Sequence, residues 1–429
     1  MPRLSIMMFL QYAVWGLWLP ILGNYLQSPI DKGGLGFTAG QVAWIIGLGA
    51  SVGAITAPFI AGQFADRYFR AERFLAFLLF AGGIVQIILA QQTTFAGWIA
   101  LSIVYSVLYM PTLSLSNSVT FANLTNTERQ FPKVRVWGTL GWIAAAWIFP
   151  MAWLMTDIKL QPLPPFYSGA DVANVTAKSI DAMTISGVVS ILYALYCVLC
   201  LPATPPKKNA VESIAFAKAF SLMARPSVMV LIIASLIIAM IHQIYFIQTS
   251  TFLEVRGLQK GFIMPAMSIG QFVEIIVMSF LGLMLTRFGF KWVIVLGALG
   301  YVARYGIWAM DSMPLWVIVA SQAFHGFCYA CFFAATYIYI DRIAPADVRN
   351  SAQTVIGIVI LGVGPVLAGF FLPLVIDLTN ANSDQINYSG LWSVLAAMGL
   401  FVALLVALGF REEQKIEHPE ILVPEPEVP

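Results

Sequence analysis

A carboxylate in the middle of an apolar run is the first residue to explain. In SIGQFVEIIVMSF, Glu274 lies about twelve residues from either end of a span near 262–285, which at ~1.5 Å of rise per residue puts it near the bilayer midplane. An ionisable group there is expensive, and it is kept where it faces a cavity or a partner. Its chemistry is proton uptake and release; the alternative is a carboxyl held protonated inside a helix bundle. Gln271, three residues earlier, supplies an amide on the same helical face. IHQIYFIQTS holds His242, Gln243, Tyr245 and Gln248, of which Gln243 is the chosen candidate for ligand contact and His242 reads equally well as a packing histidine. Near the N-terminus, Gln11, Trp15 and Trp18 recur at i, i+4 and i+7, one face of a helix. Tryptophans so placed can stack on a planar ligand, pack against neighbours, or belong to an interfacial belt. Finally, FPKVRVWGTLGW puts Arg135 one turn into an apolar helix, where its guanidinium either faces a cavity or snorkels back to the interface.

The elements that position these groups follow from composition. Of 429 residues, 59% are hydrophobic and 10% charged, against about 25% charged in soluble domains. Apolar runs recur near 4–26, 40–61, 73–91, 96–121, 134–155, 182–202, 227–253, 262–285, 292–311, 314–340, 352–376 and 390–410. Each is near the ~20 residues needed to cross a bilayer as a helix, the conformation that satisfies its own backbone in lipid. The chain is therefore expected to be an all-α membrane protein of twelve transmembrane helices. The first run lacks a small-residue cleavage site and reads as a retained helix. With the N-terminus in the cytoplasm, the outer loops hold five basic residues (Lys32, Lys159, Lys178, Arg256 and Lys260) and the inner loops sixteen, which predicts both termini inside.

Residues 202–226, with PATPPKKNAVESIAFAKAF, break the pattern halfway and read as a cytoplasmic linker between halves 1–201 and 227–410; the tail 411–429 is expected to be disordered. GQFADRYFR from Gly62 and GLMLTRFGF from Gly282 occupy the same place in each half, with Arg67 and Arg287 at the same offset. Two parallel six-helix repeats are an architecture of secondary transporters, whose site lies at the midplane between them. The segment 156–181 is polar, proline-bearing and without helical period. Enzymatic function is not expected: no nucleotide-binding loop and no Ser/His or HExxH-type arrangement accompanies the spans. Cys197/Cys200 and Cys328/Cys331 lie in apolar spans and read as small hydrophobes, so neither metal nor cofactor is expected. The net charge of +2 carries no sign of a nucleic-acid partner.

FLQYAVWGLWLPILGNYL, YMPTLSLSNSV followed by FPKVRVWGTLGW, the SIGQFVEIIV helix and VRNSAQ resemble, in this order, the bacterial nucleoside:proton symporters of the major facilitator superfamily. The likeness runs over nearly the whole chain. It implies a rocker-switch importer in the bacterial inner membrane whose central cavity holds a ribose and a base, so the expected partners are a nucleoside-like substrate, protons and the lipid bilayer, and the protein is expected to be a monomer. The family's site residues fall on Arg135, Thr139, Gln243, Gln271 and Glu274, and its aromatic positions on Trp142 and Tyr329. Arg135, Thr139 and Trp142 then form one i, i+4, i+7 stripe. Two positions depart from the pattern: an aspartate position reads Ala330 and an asparagine position reads Phe246. A nearby aromatic position has become His325, which joins Glu274 as a candidate for proton coupling. The alternatives are a carrier of another small metabolite such as a sugar, with or without proton coupling, and a transporter-like sensor that moves nothing.

Overall fold

The computed structural model describes residues 1–58, 60, 68–205, 222–345, 348–380 and 385–413. The expected loop arginine Arg67 with Gly62, most of the linker and most of the tail lie outside the described residues. Among the described residues, eleven helices are long and apolar enough to cross a membrane. They are α1 (Pro2–Gln27), α2 (Ala39–Pro58), α3 (Ala71–Leu89), α4 (Phe95–Ala122), α5 (Arg129–Leu154), α6 (Val175–Cys200), α7 (Pro226–Val255), the long Lys260–Trp308, and then Leu315–Ile343, Ser351–Thr379 and Tyr388–Gly409.

The long helix resolves the difference from the expected twelve. Its 49 residues would reach roughly 70 Å if straight, more than twice the ~30 Å hydrocarbon layer. It breaks at Gly289, whose φ of 74° and ψ of 168° glycine adopts without a side-chain clash. The arms also fold back on each other. His325 is approached by Gly270 before the break and by Arg304 after it, residues that a straight helix would hold far apart. We therefore label residues 260–288 α8 and 290–308 α9, and the last three helices α10, α11 and α12. With that split the described residues hold twelve spans, consistent with the number expected from the sequence.

Close helix packing is set by glycines at the points that matter for the site. A Cβ at Gly326 of α10 would lie 2.5 Å from the backbone nitrogen of Glu274, and one at Gly270 of α8 would lie 2.6 Å from the Cβ of His325. In both cases a backbone or Cβ atom is the obstacle, so the helices cannot yield by turning a side chain. Gly326→Val is expected to push α8 off α10 and to cost about 1–3 kcal/mol, the range for overpacking. A thermal melt of the purified protein checks this, and an unchanged Tm would show that the contact is looser than drawn.

The polar segment 156–181, read from the sequence as lacking helical period, holds two strands and, at Val175–Ser179, a short helix. Met155–Leu160 (β1) and Tyr167–Asp171 (β2) form an antiparallel hairpin, paired Met155 with Asp171 and Leu160 with Tyr167 around an irregularity in register. Its period-2 signal is short and interrupted by QPLPP, which hides it from a search for helical period. The hairpin reaches the other half: Asp171 accepts from the backbone N–H groups of Lys260 and Gly261, both at 2.9 Å. These are orphan donors at the start of α8, so a carboxylate from the N-terminal half caps a helix of the C-terminal half.

Candidate functional site

Glu274 and Arg135 come from opposite halves and face one another. The Arg135 guanidinium carbon lies 4.3 Å over the ring of Tyr12 on α1, in cation–π geometry. Gly138, one turn beyond, makes room, since a Cβ there would sit 2.6 Å from the Tyr12 ring and 2.8 Å from Nη1 of Arg135. From this position Arg135 interacts electrostatically with Glu274 of α8 and Tyr329 of α10. No ion pair within 4.0 Å joins Arg135 to Glu274 among the described residues. The guanidinium and the carboxyl group thus interact across the halves without a direct ion pair. A guanidinium laid over Tyr12 and directed at the other half is not snorkelling towards lipid headgroups.

An aromatic wall continues from this pair. Trp142 meets Trp15 edge-on at 5.9 Å and Phe246 of α7 at 6.1 Å, while Trp15 meets Tyr109 at 6.0 Å. Gly16 lets α1 approach α5, because a Cβ there would lie 3.0 Å from the Trp142 Cα. Trp15, Trp18, Tyr105, Tyr109 and Gln243 line a cavity of about 60 Å³. That is room for a few waters, well below the ~300–1,000 Å³ of small-molecule sites. Thr139 is half-buried, as the Arg135–Thr139–Trp142 stripe requires. Gln271 is 8% exposed and its Oε1 has no hydrogen-bond partner. A buried acceptor left open costs free energy, and a ligand N–H would satisfy it.

Other candidates are engaged elsewhere. Gln11 is fully buried, donates from Nε2 to Thr112 at 2.8 Å, and accepts from Tyr193 at Oε1 and from Tyr109 at its carbonyl. It ties α1 to α4 and α6, with both ends of its amide engaged inside the N-terminal half. Ala330 is fully buried within a π-helical stretch, Cys328–Ala334, rather than open to the cavity. His325 is 2% exposed, and its Nδ1 lies 2.9 Å from Nη1 of Arg304. Guanidinium nitrogens only donate, so Nδ1 accepts and holds no proton. That removes its basic nitrogen from the proton-carrying role given to it from sequence. Arg304 itself, fully buried on α9, was not among the residues singled out by sequence reasoning.

The hydrogen bonds that join the halves, among the described residues, gather at one end of the bundle. Asn24, Ser28 and Glu254 converge on the Lys260 ammonium, with Glu254 at 3.0 Å and Ser28 at 3.2 Å. Gln248 donates to Gln27, Gln27 donates to the Ile247 carbonyl, and Trp147 donates to Ser268. With the Asp171 cap these shut the end that carries the hairpin. Asp171→Ala is expected to cost about 1 kcal/mol, as lost helix caps do, and to speed maleimide labelling of a cysteine placed at buried Ser28. Unchanged labelling would mean that the cap does not hold this end closed.

A family model described as nucleoside H+ symporter matches residues 1–415. The chain belongs to that family. This symporter is 32% identical over 422 residues to the putative nucleoside transporter YegT of Escherichia coli, covering 96% of the chain and 93% of the relative. It is 26% identical to the xanthosine permease of the same organism, covering 97% and 98%. The crystal structure of nucleoside transporter NupG superposes with a TM-score of 0.79 at 22% identity, covering 96% of the symporter and 99% of that chain. At that identity the superposition speaks for the fold alone. The symporter is thus a multi-pass membrane transporter, and the facilitator and sensor readings are not favoured.

Proposed function

We propose that this symporter imports nucleosides across the bacterial inner membrane with protons, as a monomer with both termini in the cytoplasm, and that Arg135 and Glu274 form its centre. The observation that carries the reading is the placement of a guanidinium and a carboxyl group on opposite halves, interacting electrostatically without a direct bond between them. When Glu274 is ionised, its attraction to Arg135 draws the halves together. Protonation removes that attraction and leaves the guanidinium fork free for a ligand oxygen. Either event changes the balance between the two openings of a rocker switch, which is how a proton and a solute come to share one cycle.

A nucleoside fits the remaining chemistry. Its ribose hydroxyls suit Arg135, Thr139 and Gln243, its base edge suits the open Gln271 acceptor, and its ring suits Trp142 and Tyr329. The basic residues of the end that carries the termini, far more numerous than those of the hairpin end, support the cytoplasmic orientation. Closure at the hairpin end then corresponds to a state shut towards the outside. A thermal-shift screen with nucleosides, free bases and sugars tests the substrate class. Saturating nucleoside at ~100 times its Kd should stabilise the folded protein by about 2.7 kcal/mol, and a shift given by sugars but not by nucleosides would overturn the reading.

A further inference from the structure

The turn of the β1–β2 hairpin is apolar and uncovered. Leu160 is 80% exposed, Leu163 72% and Phe166 49%. Large apolar side chains gathered at an exposed turn point to a membrane or a protein partner. Which of the two it is follows from the level at which the turn sits.

The base of the hairpin is level with the start of α8. Met155 stands against Gly261, and Asp171 accepts from the N–H groups of Lys260 and Gly261. Its far end lies deeper. Tyr167 stacks on Phe262 at 4.9 Å, and the Trp147 ring meets Tyr167 at 5.7 Å and Phe166 at 6.2 Å. The Trp147 indole donates to Ser268 at 2.8 Å, and Ser268 lies about 10 Å further along α8 than Gly261 at ~1.5 Å per residue. The apolar run of α8 starts near residue 262. Phe166 is therefore alongside the membrane span, not beyond its end.

The surface around it faces lipid. The same Trp147 ring meets Phe272 at 6.5 Å. Phe272 heads a stripe of exposed apolar residues on α8, followed by Ile276, Phe280 and Leu283, which share one helical face. Phe166 thus extends the lipid-facing side of the bundle where α5 of one half meets α8 of the other.

We infer that the hairpin is an interfacial anchor whose tip, Leu160, Leu163 and Phe166, inserts among the acyl chains of the leaflet at its end of the bundle, so that its partner is lipid. Open strand edges do not occur in the hydrocarbon core, which keeps the hairpin at the boundary with the headgroups. The turn itself is cheap to desolvate there. Of residues 161–166 three are prolines, which carry no N–H. The N–H groups of Gln161 and Phe166 donate within the turn, to the carbonyls of Phe166 and Leu163, both at 2.8 Å. The charged side chains of β1 are Asp157, nearer the base, and Lys159, whose long stem can lift its ammonium to the headgroups.

This reading does not depend on what the protein carries, and it is tested without a solute. Leu163→Cys is labelled with a bimane and reconstituted in phosphatidylcholine/phosphatidylglycerol vesicles. Wild type carried through the same labelling gives the background from Cys197, Cys200, Cys328 and Cys331. Lys32→Cys, exposed between α1 and α2, is the aqueous reference, and Leu283→Cys, on the exposed stripe, is the lipid reference. The tip probe should be quenched by brominated phosphatidylcholine and should lose the iodide quenching seen at Lys32→Cys. Its depth should come out about 5–10 Å below the headgroups, as interfacial elements lie. Iodide quenching equal to that of Lys32→Cys, without quenching by brominated lipid, would put the tip in water and overturn the anchor. Shielding from both quenchers would mean that protein covers the tip, such as a second copy of the chain, and would overturn it equally. Leu160→Cys repeats the measurement at a second exposed position, so a poorly folded Leu163→Cys does not leave the question open.

Discussion

Glu274→Gln is expected to abolish accumulation of nucleoside against a gradient while leaving binding and exchange largely intact. The amide keeps the shape and the hydrogen bonds of a protonated carboxyl, so the variant is held in one protonation state. One elementary charge moving through 100 mV is worth about 2.3 kcal/mol, which at ~1.4 kcal/mol per decade corresponds to roughly fifty-fold accumulation for one proton per solute. The variant should reach a ratio near one. Radiolabelled counterflow separates the two halves of this expectation, since exchange needs alternating access but no net proton movement. A variant that still concentrates solute with the pH dependence of the wild type would place the coupling group elsewhere, and His242 would be the next group to test because its Nδ1 meets the Tyr301 hydroxyl, which can donate or accept, whereas that of His325 meets a guanidinium, which only donates.

Arg135→Lys is expected to lower uptake efficiency by roughly 10- to 100-fold, the range for a hydrogen bond that involves a charged group. Lysine preserves the charge opposite Glu274 but not the planar fork, nor the flat contact 4.3 Å over Tyr12. The loss should fall mainly on KM, because the fork is used to hold the ligand. Uptake equal to wild type would mean that the guanidinium serves only as a point charge or as an interface anchor.

Much of the fold was legible because lipid leaves the chain few choices. Runs of about 20 apolar residues become helices when nothing else can satisfy their backbone, and the expected spans sit on the observed ones. The break at Gly289 was legible as a loop between two spans, and the non-helical backbone there bears it out. The hairpin of β1 and β2 was not legible, because six and five residues give too little alternation beside prolines. Glu274 and Gln271 could be read from their depth and spacing. Gln11 could not be assigned from spacing alone: the same helical face that carries Trp15 to the cavity turns Gln11 onto Thr112 and Tyr193. Arg304 had a signal that went unused. Of 23 lysines and arginines, sixteen lie in the loops of one side and five in those of the other, leaving two inside spans, Arg135 and Arg304. Subtracting the loops would have found the second buried guanidinium without a structure.

The central claim is that Glu274 makes nucleoside entry and proton entry one event. Proteoliposomes with a pH-sensitive dye in the lumen, given nucleoside outside with no imposed gradient, test it most directly. Wild-type protein should acidify the lumen in step with nucleoside entry, and Glu274→Gln should exchange nucleoside with no acidification. Nucleoside entry by wild type without a pH change, or equal acidification by the variant, would contradict the account.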